Sequence, residues 1–344
     1  MRTSRGTALL VACLAGLLAG PLAGCGSDEP APGGGRDGAA GVEADLELPT
    51  EPVFEPGPRR FPTATGDRVW SEGSVLHLGE ESYDLAPTVV DGFVPTPYGV
   101  FVRYVVGSGI DAVTEFGYFD GRGPLQELPH GVHDVTVSGS GEHVGWIDAG
   151  GPEVASHAEG ARASVAVVVE AATGTVLHQS TEALLEGADY PDEYTPEAHG
   201  FLGETFYWGD AYSGEAAGVD ARTLEVKTTT EGEVEAAFDT PRAGAYDVAS
   251  HYEEIEYGAV RITDAHGRRV DTGYDWTIPL GTVGAPASDR VLLLGQHVSP
   301  GDLLDDRARR DGAVVECALG SGDCTVVAKV ADADRVRGAA RILG

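Results

Sequence analysis

The chain has 344 residues, with 23 Lys and Arg against 55 Asp and Glu and a formal net charge of −32. Hydrophobic residues make up 42%, enough for a packed core, which excludes a wholly disordered chain. So acidic a surface repels phosphate backbones and anionic headgroups, which excludes nucleic acid as a partner and charge-driven membrane binding as an anchor.

Residues Met1-Arg2-Thr3-Ser4-Arg5 precede an apolar run from Ala8 to Leu22 and then Leu22-Ala23-Gly24-Cys25. A basic start, about 15 apolar residues and small residues before the cut predict an export signal over residues 1–24. The run, interrupted by Gly16, Gly20 and Pro21, falls short of the ~20 residues of a spanning helix. Leu22-Ala23-Gly24-Cys25 resembles the bacterial lipoprotein lipobox. The resemblance implies diacylglyceryl transfer to the Cys25 sulfur, cleavage before Cys25 and acylation of the new amino terminus. The alternative is a plain secretory signal with a coincidental cysteine. Two or three acyl chains, at ~0.8 kcal/mol per buried methylene, hold a protein where one does so only marginally. The expected location is the cell membrane, lipid-anchored and extracytoplasmic, with the lipid membrane as first partner.

From Gly26 to about Pro62 the chain is rich in Gly, Pro, Ala and Glu, with no apolar periodicity. This predicts a flexible tether, residues 25–63, ahead of a folded domain over residues 64–344. Within that domain helical periods are scarce. The two best are short, Thr181–Glu186 and Leu303–Arg310.

Strand–turn–strand units dominate. His77, Asp120, Glu170, Asp220, Asp264 and Cys317 mark equivalent points at steps of roughly 43 to 53 residues, the middle four acidic and each closing an apolar run before a turn. Upstream of several lies a further β run with an aromatic, as in Val100-Phe101-Val102, Val144-Gly145-Trp146 and Thr205-Phe206-Tyr207-Trp208. Repeats of this length built from short strands predict an all-β fold, a β-propeller. The ~280 residues of the domain divided by ~47 give six blades, with five or seven as alternatives. The first hairpin has few strands before it, so Arg335–Leu343 is expected to pair into the blade of Val69–Leu85 and close the ring. Two stacked β-sandwiches are the competing architecture.

Asp134-Val135-Thr136-Val137-Ser138-Gly139-Ser140-Gly141-Glu142-His143-Val144-Gly145-Trp146 resembles the Ser-Pro-Asp-Gly-x-x-Ile-Ala-Phe/Trp core of TolB-type, WD-like propeller repeats. Ser138, Gly141, Val144, Gly145 and Trp146 match; Gly139 and Ser140 stand where Pro and Asp are usual. The resemblance covers about 50 residues and implies a propeller, without transferring an activity.

Cys13 falls in the signal. Cys317 and Cys324 flank Gly320-Ser321-Gly322 between two apolar runs, a hairpin whose register sets the two sulfurs opposite each other, within disulfide reach. Two free thiols are the alternative.

No P-loop, G-x-S-x-G, H-E-x-x-H or paired C-x-x-C motif occurs in the sequence. His130 and His133 offer two nitrogens but no third metal ligand. The acidic stretch from Asp189 to Glu197 is weighed as a Ca²⁺ loop against an exposed charged insertion, and lacks the alternating rhythm of a dedicated loop. Trp70, Trp146, Trp208 and Trp276 are expected to pack between blades, with a sugar-stacking platform as the second use. The reading is a non-catalytic binding module with no resident cofactor, acting as a monomer. Its partner is a cationic protein surface or another envelope protein, met by loops on a rigid scaffold. A secreted hydrolase or lyase acting on glycans or lactones, with Ca²⁺ in the central channel, is the alternative.

Overall fold

The computed structural model describes residues 46–339 apart from 59–60, 62–67, 109–111, 130, 152–162, 182–183, 185–195, 211–213, 239–241, 244–245, 250–260, 264–270, 272, 275, 284–289, 297–311 and 319. Cys25 and the signal, His130, Asp264, the stretch Leu303–Arg310 and all of the acidic loop before Pro196 lie outside the described residues.

Among the described residues, six antiparallel sheets follow one another in chain order. Sheet 1 holds β1 (Val69–Glu72), β2 (Val75–Leu78) and β3 (Glu81–Asp84). Sheet 2 holds β4 (Val90–Thr96), β5 (Gly99–Val106), β6 (Val113–Phe119) and β7 (Gln126–Glu127). Sheet 3 holds β8 (Val132–Val137), β9 (His143–Asp148), β10 (Val165–Glu170) and β11 (Thr175–Ser180). Sheet 4 holds β12 (Pro196–Leu202), β13 (Thr205–Asp210), β14 (Glu215–Asp220) and β15 (Val226–Thr230). Sheet 5 holds β16 (Arg242–Ala243), β17 (Tyr246–Ala249) and β18 (Arg261–Thr263). Sheet 6 holds β19 (Trp276–Val283), β20 (Arg290–Gln296), β21 (Gly312–Ala318) and β22 (Asp323–Val330). The last strand, β23 (Val336–Gly338), returns to sheet 1 and pairs with β1 through Trp70↔Gly338, Ser71↔Arg337 and Glu72↔Val336.

Among the described residues, the innermost strands of sheets 1 to 4 and of sheet 6 are neighbours. β23 packs against β4, β4 against β8, β8 against β12, and β19 against β23; a parallel bridge joins Phe93 to Ala339. Up-and-down sheets laid side by side through their first strands, with the chain's end returning to its first sheet, are the topology of a β-propeller, and stacked sandwiches are excluded. The closing pair is the one the sequence predicts, carried by Val336–Gly338.

The core lies between sheets, which explains the unbroken apolar runs. In β10, Val165, Val167 and Val169 face sheet 2 across one interface, while Ala166 and Val168 face sheet 4 across the other. A strand buried on both faces has no polar alternation. Each fully buried Val there contributes roughly 1.5–3 kcal/mol. Likewise Leu292 and Leu294 of β20 pack toward sheet 1, and Val291 and Leu293 toward the opposite face. Outer strands such as β3 and β15 are mostly exposed.

The repeat points fall on one structural position. His77, Asp120, Glu170, Asp220 and Cys317 all lie on or just after the third strand of their sheets, and β18, third in sheet 5, stops one residue short of Asp264. The acidic members cap the turn that follows. Asp120 Oδ1 accepts from the Arg122 and Gly123 N–H groups, and Asp220 Oδ1 from those of Arg222 and Thr223. These bonds from Thr223 and Arg222 hold the Asp220 carboxyl below its usual range.

Two expectations need correction. The tether does not extend to residue 63, because Leu46, Val53, Phe54, Gly57 and Phe61 lie against the sheets. Phe54 is buried, stacked on Tyr118 at 4.2 Å between ring centroids and edge-on to Phe101 at 5.1 Å. The Val53, Gly57 and Phe61 N–H groups donate to Gly174, Tyr98 and Pro97 carbonyls. Proline and glycine break any apolar periodicity in this segment, which docks through two phenylalanines and its backbone bonds. The helix, too, is elsewhere. Thr181 and Leu184 are not helical, and α1 spans Glu231–Phe238. Its start carries a capping box: Thr230 N–H donates to the Glu233 carboxylate, three residues on.

Candidate binding face

Each sheet's connections alternate between two ends, and the ends differ. At one end are short turns, which touch across sheets. Gly139 N–H donates to Gly203 O, 3.4 Å, between the β8–β9 and β12–β13 turns. Gly141 sits at φ +75°, and a Cβ there would lie 2.7 Å from Pro97 in the β4–β5 turn. This is the sequence stretch resembling TolB-type repeats, and its Ser138 hydroxyl accepts from the His143 N–H to close the turn. Long connections join strands at the other end: residues 149–164, 181–195, 250–260 and 297–311 separate β9 from β10, β11 from β12, β17 from β18 and β20 from β21.

Inner strands begin at the long-connection end, and β4, β8, β12 and β19 each carry a register shift against their neighbour. Such bulges redirect side chains and recur beside functional sites. In β4 the bulge holds Asp91, which pairs with Arg103 of β5 at 3.0 Å and faces Arg337 of β23 at 3.7 Å. In β8 it holds Asp134, at φ 54°, which accepts from His133 Nδ1 at 2.9 Å. In β12 it holds His199, whose Nε2 is 2.9 Å from a Glu231 carboxylate oxygen at the start of α1. The helix packs across all four strands of sheet 4, and Phe238 approaches the His199 ring.

A ribbon projects at the same end. Val105 pairs with Thr114 and Val106 with Val113, whereas β4 reaches only Tyr104 and β7 only Gly117 and Tyr118. The last two pairs of β5–β6 therefore have no strand of their sheet on either side. Val105, Val106 and Val113 are 50%, 50% and 55% exposed. Burial, then the Glu115 and Glu127 carboxylates, raises the Tyr104 hydroxyl pKa at the ribbon's base.

The predicted residues are distributed as follows. Cys317 and Cys324 form a disulfide in the β21–β22 hairpin, directly paired as the register implied. His133 is engaged by Asp134. Among the described residues no group of three or more His, Cys, Asp or Glu is placed to hold a metal. Trp70, Trp146 and Trp208 are buried between sheets on second strands, which rules them out as a sugar platform; Trp276 opens β19. Sequence reasoning missed Asp91, His199 and Glu231. The Thr230-x-x-Glu233 signature marks the helix start beside Glu231, but no local signal marks a bulge.

No family model matches the chain, and no curated protein matches it. Among solved structures it is similar to TolB from Acinetobacter baumannii, at 10% identity and a TM-score of 0.37, covering 81% of this chain and 64% of that one. It is similar to the AtxE2 isopeptidase at 9% identity and 0.39, covering 79% and 48%. It is also similar to BamB from Moraxella catarrhalis at 12% and 0.25, covering 86% and 93%. The chain thus spans about half to two-thirds of the length of the first two. At scores this low the fold assignment rests on strand order and ring closure, and none of these proteins lends its activity.

Proposed function

We propose that the protein is an extracytoplasmic lipoprotein: a six-bladed propeller, acylated at Cys25, that binds a cationic protein surface at its long-connection end without catalysis. The observation that carries the binding reading is the asymmetry between the two ends. Tight, mutually packed turns make a scaffold at one end, and the long connections, the inner-strand bulges and the valine ribbon gather at the other. The sequence segments joining strands there are acidic, with Glu182, Glu186, Asp189, Asp192 and Glu193 between β11 and β12 alone. Exposed valines flanked by carboxylates suit a partner that pairs apolar contact with basic side chains. The anchor is supported by the sequence around Cys25, and no helix among the described residues is long and apolar enough to cross a membrane.

A photo-crosslinking amino acid placed at Val106 in the acylated protein, in cells, tests the reading. One recurrent envelope protein captured at Val106 but not from Glu142 in the β8–β9 turn is expected, with capture weakening as salt rises. Equal capture from both positions would sink the assigned face, and an intact mass with residue 25 bare would sink the anchor.

A further inference from the structure

We infer that the domain stands on the membrane with its short-turn end toward the lipid and its long-connection end outward; this rests on the proposed acylation of Cys25. The route of the docked N-terminal segment carries the argument. Among the described residues its backbone bonds to the sheets end on a short turn or beside one: Val53 on Gly174 between β10 and β11, Gly57 on Tyr98, and Phe61 on Pro97 between β4 and β5. Glu55 N–H donates to Gln126 Oε1, and Gln126 Nε2 returns a bond to Glu55 O, at the start of β7. Gly57 also approaches the carbonyl of Asp120, and Phe61 lies against Gly121, both in the β6–β7 turn. The segment therefore crosses from sheet 3 over sheet 2 to sheet 1 along a single end before entering β1. Leu46, its first described residue, already packs on the interface of sheets 2 and 3.

Length sharpens the point. Twenty residues separate Cys25 from Leu46 in the sequence. A Gly/Pro-rich chain of about 20 residues typically spans ~25 Å. A seven-residue strand is ~23 Å tall, so the opposite end stands about one strand length farther from the anchor.

The test uses the full acylated protein on phosphatidylcholine vesicles carrying an acceptor dye on the headgroups. A donor dye is attached at Glu142→Cys on the near end or at Val89→Cys, between β3 and β4, on the far end; both residues are exposed. Energy transfer severalfold stronger from position 142 is expected. Equal transfer, or stronger transfer from position 89, overturns the orientation while leaving acylation standing. Failure to co-float with vesicles, together with a bare Cys25 by mass, removes the acylation premise and the orientation with it. Adding Phe54→Ala, with folding followed by thermal melting, should shrink the difference between the positions. An undiminished difference would show that the docked segment is not what sets the orientation.

Discussion

At the short-turn end, neighbouring sheets are fastened together through two carboxylates, Glu204 and Glu316, that are only 16% and 6% exposed. His143 Nδ1 of β9 donates to Glu204 Oε2, 2.7 Å away in the β12–β13 turn, and Arg222 holds the other oxygen at 3.2 Å. Arg68, just ahead of β1, donates from Nε to Glu316 of β21 at 2.6 Å, and Arg290 completes the cluster. At the long-connection end His199 and Glu231 form a comparably buried pair, 12% exposed each, but the carboxylate of the Asp91 cluster is more open. Asp91 and Arg337 remain 33% and 40% exposed, and the β5–β6 ribbon extends past its sheet. One end therefore holds the sheets in place, and the other has surface to spend on recognition.

The comparison can be broken in four ways. Ending the chain before Val336 removes β23 and opens the ring; a fall in melting temperature on the order of 10 °C or more is expected, and an unchanged melt would mean that closure does not hold the sheets. Phe54→Ala should cost about 3–5 kcal/mol, as Phe→Ala does in packed sites, read by denaturant titration. A value near zero would mean that the docked segment is an ornament of the short-turn end. Glu316→Ala leaves two guanidinium groups facing each other and should cost about 2 kcal/mol, below a fully buried pair because both arginines reach solvent. Val106→Ser, at the other end, should leave stability within about 0.5 kcal/mol while weakening partner capture.

The smallest effect concerns pH. The Asp220 carboxyl has its folded pKa held below the ordinary value by the Thr223 and Arg222 N–H groups. Its stabilisation is therefore complete above the usual carboxylate range and is lost as pH falls through the folded pKa. Asp220→Asn keeps an acceptor and drops the titration, so its melting curve should lose a small part of the acid sensitivity below about pH 4. Identical acid profiles for both proteins would show that the cap is too solvent-screened to matter.

The parts legible in the sequence are those where chemistry repeats locally. Asp120 and Asp220 recur because the same turn needs the same acceptor. Trp146 and Trp208 recur because each second strand must fill the gap to its neighbour, and Gly145 stays small because a Cβ there would meet the Phe206 ring at 2.5 Å. The Cys317–Cys324 pairing follows from hairpin register alone. What was hidden depends on pairing across distance. The Asp91 and His199 bulges exist only relative to β5 and β13, and Phe54 gains its place from Tyr118 and Phe101, far along the chain. Helix α1 lay between these cases: its capping box is written in Thr230 and Glu233, but eight residues give too little apolar rhythm to notice.

Returning β23 to the first sheet also orders events in time. Sheet 1 lacks its inner strand until residue 338 has been synthesised and delivered, so β1 waits with an open edge while five later sheets assemble. A polypeptide threaded through a narrow exit cannot finish this architecture from the front. Completion of the wheel is therefore a late event, and the interval before it is when the half-built chain is most exposed to edge-to-edge aggregation and depends most on holding factors.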